Sequence, residues 1–130
     1  MMNSDVLAEI YEPFPTSPPL GSRFFLESVT GTRGAVTLVV RLEDGPRIQL
    51  NFDPAFAYRN THESMRLLTW GAGHGNLIGL FTVKNSFFLH WAAMESCTVI
   101  EGFDPVHYCI NTEDDSFDVL SSSPPTLTVL

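Results

Sequence analysis

The stretch from Arg23 to Phe52 restricts the fold more than any other part of the chain. Three runs rich in β-branched and aromatic residues, RFFLESV, AVTLVVRL and RIQLNF, are separated by the turn-forming segments TGTRG and EDGP. β-Branched and aromatic side chains suit a pleated backbone, and Gly, Asp and Pro interrupt it, so the simplest expectation is three consecutive strands in an antiparallel meander. In the third run Ile48, Leu50 and Phe52 alternate with Arg47, Gln49 and Asn51. Successive strand residues point to opposite faces, which puts the apolar set on one side and the polar set in water.

The flanking segments are less regular. Ser4 to Glu12 is expected to form a short helix, with Val6, Leu7 and Ile10 at helical spacing, before PFPTSPPLG imposes extended backbone. Residues 1–21 then form a helical and proline-rich arm rather than a second domain. Asn60 with Glu63 three residues later predicts a capped helix through THESMRLLTW, carrying Met65 and Leu68, with Leu67 as a further candidate, inward until GAGHG breaks it. NLIGLFTV reads as a fourth strand. NSFFLHWAAMES reads as a helix begun by Asn85 or Ser86, with Phe87, Phe88, Trp91, Ala92 and Met94 on its apolar face. HYCI and SFDVL form a last hairpin around NTEDD, and LTVL is a candidate terminal strand beyond Pro124 and Pro125. Strands in runs with helices between them predict one α+β domain over residues 1–130, with a mostly antiparallel sheet and two or three short helices.

Charge excludes several functions. The chain has 130 residues, 44% of them hydrophobic, which is too apolar for a disordered acidic chain despite a net charge of -8. Seven basic residues against fifteen acidic ones argue against direct nucleic-acid binding and against an anionic membrane surface. No apolar run is long enough for a membrane span and the N-terminus lacks a basic export signal, so a cytoplasmic setting is expected, with Cys97 and Cys109 as reduced thiols. The basic residues all lie between Arg23 and Lys84, leaving residues 85–130 purely acidic.

Candidate chemistry is thin. His107 and Cys109 are two apart on one predicted strand and so share a face, with His90 and Cys97 nearby in sequence, but the spacing matches no zinc module. NTEDD lacks the Gly and the distant bidentate Glu of a calcium loop. Adjacent carboxylates in a turn diverge, and Cys109 with His107 offers no third group to orient a base. GAGHGN lacks the P-loop Lys. The sequence therefore predicts no catalytic residue, metal or cofactor. A small enzyme using His107 and Cys109, and a non-catalytic adaptor domain, stand as alternatives to the reading that follows.

An unpaired acidic half on such a domain suits capture of a basic protein, because opposite potentials speed association and select the partner. Nucleases are often basic, since their own surface must hold phosphates. The run Phe52-Asp53, Tyr58-Arg59 and Glu63-Ser64, then Asn85-Ser86 and Trp91, then His107-Tyr108, Thr112, Asp114-Asp115, Asp118-Val119-Leu120-Ser121 and Pro124-Pro125 resembles small bacterial immunity proteins. These partner the toxins of contact-dependent growth inhibition and related polymorphic toxin systems. The resemblance covers the chain from about residue 50 onward. It implies a cytoplasmic antitoxin that binds the C-terminal domain of its cognate toxin tightly, with the α+β, Whirly-like sheet-and-helix fold of some members. Tyr58, Trp91, Tyr108 and Val119 read as core positions, and Asp118 as a partner for a turn or an Arg. For the interface the charge layout selects Glu101, Asp104, Glu113, Asp114 and Asp115, with the GAGHG loop around His74 as a second patch.

Overall fold

The computed structural model describes residues 9–21, 23–66, 69 and 78–130. Among these the chain runs β1 (Ile10–Pro13), β2 (Phe24–Thr32), β3 (Ala35–Leu42), β4 (Arg47–Phe52), β5 (Ala57–His62), β6 (Gly79–Lys84), α1 (Phe87–Glu95), β7 (Val106–Asn111), β8 (Asp115–Ser121) and β9 (Thr126–Val129). Two 3₁₀ turns, Glu63–Met65 and Val99–Phe103, follow β5 and α1. The expected meander is present: β2, β3 and β4 pair antiparallel, and β9, formed by the LTVL run, adds to β4. The other five strands form a second antiparallel sheet in the order β1-β6-β7-β8-β5. The fold is α+β and mostly antiparallel, as its sequence predicts.

Side-chain alternation explains how the layers stack. Val36, Leu38 and Val40 of β3 and Ile48, Leu50 and Phe52 of β4 are fully buried against Leu80, Tyr108, Ile110, Phe117 and Val119 of the second sheet. The two sheets thus pack face to face, and each of these side chains contributes roughly 1.5–3 kcal/mol by leaving water. The second sheet is also covered on its outer face. There α1 places Phe88 and Ala92 against Ile100 and Leu120 in a smaller cluster. β8 is therefore buried on both sides, with Phe117 and Val119 facing the sandwich and Ser116, Asp118 and Leu120 facing α1.

Several expectations change. Residues 4–8 of the expected N-terminal helix lie outside the described residues, and its end is strand instead, with Ile10–Pro13 paired antiparallel to β6. Asn60 caps no helix. It lies in β5, opposite Phe117, and the 3₁₀ turn that follows is capped by His62, whose ring accepts the Ser64 N–H. Met65 is exposed rather than inward, and Leu67, Leu68 and the GAGHG loop lie outside the described residues. Tyr108 and Val119 are core residues, but Tyr58 is 44% and Trp91 49% exposed. Tyr58 lies on an edge strand and stacks on Phe117 from the rim, and Trp91 stacks on the solvent side of Phe88.

Candidate binding surface

Beneath α1 the outer face of the five-stranded sheet holds a polar network beside its small apolar cluster. Register places Asp118 of β8 directly between Cys109 of β7 and Arg59 of β5. The Asp118 carboxylate, fully buried, accepts from His107 Nε2 at 2.6 Å, Arg59 Nε at 2.8 Å and Arg66 Nη1 at 3.0 Å. Burial alone would raise its pKa, but the His107 hydrogen bond and charge, then Arg59 and Arg66, outweigh that and hold it well below the ordinary carboxylate range. Arg66 also donates to Ser116 Oγ, Thr69 Oγ1 and the Tyr11 hydroxyl, tying the end of β5 to β8 and β1. Burial drives the Tyr11 and Cys109 pKa values upward, so both groups stay protonated. The Cys109 thiol donates to Asn111 Oδ1, and the buried Asn111 amide nitrogen has no partner among the described residues.

The network reaches α1 through Ser86. Its Oγ lies 2.7 Å from His107 Nδ1 and accepts the Leu89 N–H at 2.9 Å, capping the first turn. Both ring nitrogens of His107 are engaged, Nε2 by Asp118 and Nδ1 by Ser86. Ser86, His107 and Asp118 thus connect in the order of a hydrolase triad, but the connections suit anchoring better than proton transfer. The Ser86 oxygen already serves the helix amide. The neighbouring Phe87 N–H, where an oxyanion would need support, donates to the Glu9 carboxylate at 2.8 Å. Two arginines also draw on the Asp118 charge that would otherwise stabilise an imidazolium. Arg59, Ser86, His107 and Asp118 meet in this one network.

Above the network lies an exposed apolar surface. α1 is apolar on both sides: Phe88 and Ala92 face inward, and Trp91 and Met94, one turn apart, face solvent with Met94 67% exposed. The following 3₁₀ segment exposes Val99 and Phe103, whose ring lies 5.3 Å from that of Phe56. Glu95, Glu101 and Asp104 are exposed in the same helical region. Between α1 and β5, a pocket of about 350 Å³ is lined by Ala57, Tyr58, Arg59, Phe87, Phe88 and Trp91. The Arg59 guanidinium sits 4.4 Å from the centre of the Phe88 ring.

The acids selected from sequence do not form one patch. Glu101 and Asp104 lie in or just after the 3₁₀ segment before β7, lining a cleft of about 470 Å³ with Ser86 and His90. Glu113, Asp114 and Asp115 lie at the other end of β7, roughly 20 Å away by strand rise. Glu113 is answered within the chain by Arg23 at 2.9 Å, while Asp114 is exposed and Asp115 half-buried. His74 lies outside the described residues. His107 and Cys109 do share a face, but their partners are Ser86 and Asp118, and Asn111 and Ser116. Among the described residues no three His, Cys, Asp or Glu side chains converge as metal ligands.

Residue types identified Ser86 as a candidate helix cap, which it is, but gave no signal for its bond to His107 or for the roles of Arg59 and Arg66. The strand alternation that puts His107 and Asp118 on one face was the available clue. Comparison with protein-family models, curated proteins and solved structures finds no match. Among the described residues no helix is long and apolar enough to cross a membrane.

Proposed function

We propose that this protein is a cytoplasmic immunity protein that binds a cognate toxin domain, a basic nuclease, one to one and neutralises it by covering its active surface. The observation that carries the reading is the double-sided apolar character of α1. Its inner residues complete the fold, while Trp91 and Met94, followed by Val99 and Phe103, leave large apolar side chains in water. Exposed apolar area of this kind marks association surfaces, with aromatic residues supplying much of the binding energy. Glu95, Glu101 and Asp104 surround it with negative charge on a chain whose net charge is -8, which favours a basic partner. The buried Asp118 network supports this role by fixing α1 and Arg59 before a partner arrives, lowering the ordering cost of binding. Inhibition by occlusion requires no catalytic residue, metal or cofactor on this chain.

The test takes the C-terminal domain of a large secreted protein encoded beside this chain, where an immunity role places the toxin, coexpresses it with the full chain and titrates that domain's toxicity. The expected result is a salt-sensitive one-to-one complex that abolishes toxicity and is weakened at least about tenfold by Trp91→Ala with Met94→Ala. Absence of both complex and protection would overturn the proposal.

A further inference from the structure

Arg59 stands out because only part of its hydrogen-bonding capacity is used. Its Nε donates to the buried Asp118 carboxylate, which fixes the guanidinium plane, and its side chain remains 39% exposed. Among the described residues no carboxylate or carbonyl accepts from its terminal nitrogens. Asp118 is shared with Arg66, so two guanidinium groups draw on one carboxylate and positive character remains at the pocket side. The terminal nitrogens therefore present donors of fixed direction inside an aromatic pocket on an otherwise acidic protein.

The pocket walls define what can accompany an anion there. Phe88 and Trp91 stack with their rings 5.7 Å apart and 15° from parallel, and Phe87 and Ala57 extend the apolar lining, while the Tyr58 ring turns to Phe117 on the other face of β5. A volume of about 350 Å³ suits one ring-sized group. A lone acetate would leave this lining wet, and a neutral ring would leave the Arg59 donors without an acceptor. One residue meets both demands when it carries an aromatic side chain and a free α-carboxylate.

We infer that this pocket binds the C-terminal carboxylate of a polypeptide ending in an aromatic residue, with the carboxylate across the Arg59 terminal nitrogens and the ring against Trp91. The inference rests on the binding-surface reading for the source of that polypeptide, but its chemistry is testable without the partner. It also gives the interface an inverted centre, one anion-accepting pocket beside acidic surroundings. A wholly basic partner surface lacking such a carboxylate would leave the pocket unfilled, so the pocket adds a selection that net charge alone cannot make.

The probe is N-acetyl-L-phenylalanine titrated into the full chain, read by the NMR signals of the Arg59 Nε–H and the Trp91 indole N–H. Saturable binding is expected with a dissociation constant on the order of 1 mM. N-acetyl-L-phenylalaninamide, which keeps the ring and loses the charge, should bind at least about tenfold more weakly, as should N-acetylglycine, which keeps the charge and loses the ring. Trp91→Ala, which removes no hydrogen bond of the Asp118 network, should reduce the affinity for the full probe by about tenfold. Arg59→Lys should abolish the preference for acid over amide, with folding checked by the Trp91 signal. Equal binding of acid and amide, or no saturation by the acid at tens of millimolar, would overturn the inference whether or not a toxin complex forms.

Discussion

Asp118 couples stability, pH and the pocket in a single side chain. Asp118→Asn would leave Arg59 and Arg66 facing a neutral amide in a largely buried site, and removing one member of a buried ionic set costs about 3 kcal/mol or more. Urea unfolding at pH 7 measures that loss. The pH dependence follows from the depressed folded-state pKa. In the unfolded chain the group titrates near its ordinary 3.8, so the unfolded state takes up a proton first as pH falls. The Asp118 contribution is complete above that value and is lost as pH falls through the lower folded-state value. Wild type should therefore lose stability from about pH 4 downward more steeply than Asp118→Asn, and parallel urea midpoints between about pH 4 and pH 2 would contradict the assignment. Ser86→Ala removes both the helix cap and the His107 partner, for an expected loss of about 1–2 kcal/mol in the same assay. In the sequence, Asp118 is legible as a partner for a turn or an Arg, but not as a buried group with three donors. Arg59 and Arg66 lie 59 and 52 residues away along the chain, and only strand register brings them together.

Elements differ in how plainly the sequence announces them, and β5 shows why. RIQLNF advertises β4 because one of its faces is a packed core and the other meets water, so the period of two is clean. AYRNTH carries no such signal. It is an edge strand paired on one side only, its inward row includes Arg59 in place of an apolar residue, and Asn60 and Glu63 imitate a helix start. α1 misleads in the opposite direction: an apolar helix reads as core, and only tertiary packing shows that the sheet covers one side and leaves Trp91 open. β5 is locked over the first sheet at Gly31 of β2, where a Cβ would collide with the Tyr58 hydroxyl. Gly31→Ala should accordingly destabilise the protein by about 1–3 kcal/mol. Adding Tyr58→Phe removes the colliding oxygen and should restore part of that loss, so equilibrium unfolding of the double variant decides the point. Equal midpoints for the single and double variants would mean that the collision is relieved elsewhere.

Across the whole molecule the decisive quantity is where negative charge stands relative to the apolar surface. The sequence shows that residues 85–130 are acidic, but not that β7 separates the acids into two groups. One group, Glu101 and Asp104, belongs to the same helical region as the exposed Trp91, Met94 and Phe103. The other, Glu113 to Asp115, is partly answered by Arg23 and lies beyond the far end of the strand. Charges more than a Debye length from an interface, about 8 Å at physiological salt, influence encounter weakly. Reversing Glu101 and Asp104 to Lys should therefore slow association with a basic partner by about tenfold at low salt and flatten the salt dependence of the rate, while leaving dissociation nearly unchanged. The same reversal at Asp114 and Asp115 should change the association rate by less than about threefold. Stopped-flow association across a salt series measures both. If the second pair of reversals has the larger effect, the partner docks on the β7–β8 turn, and the apolar face of α1 needs a different occupant.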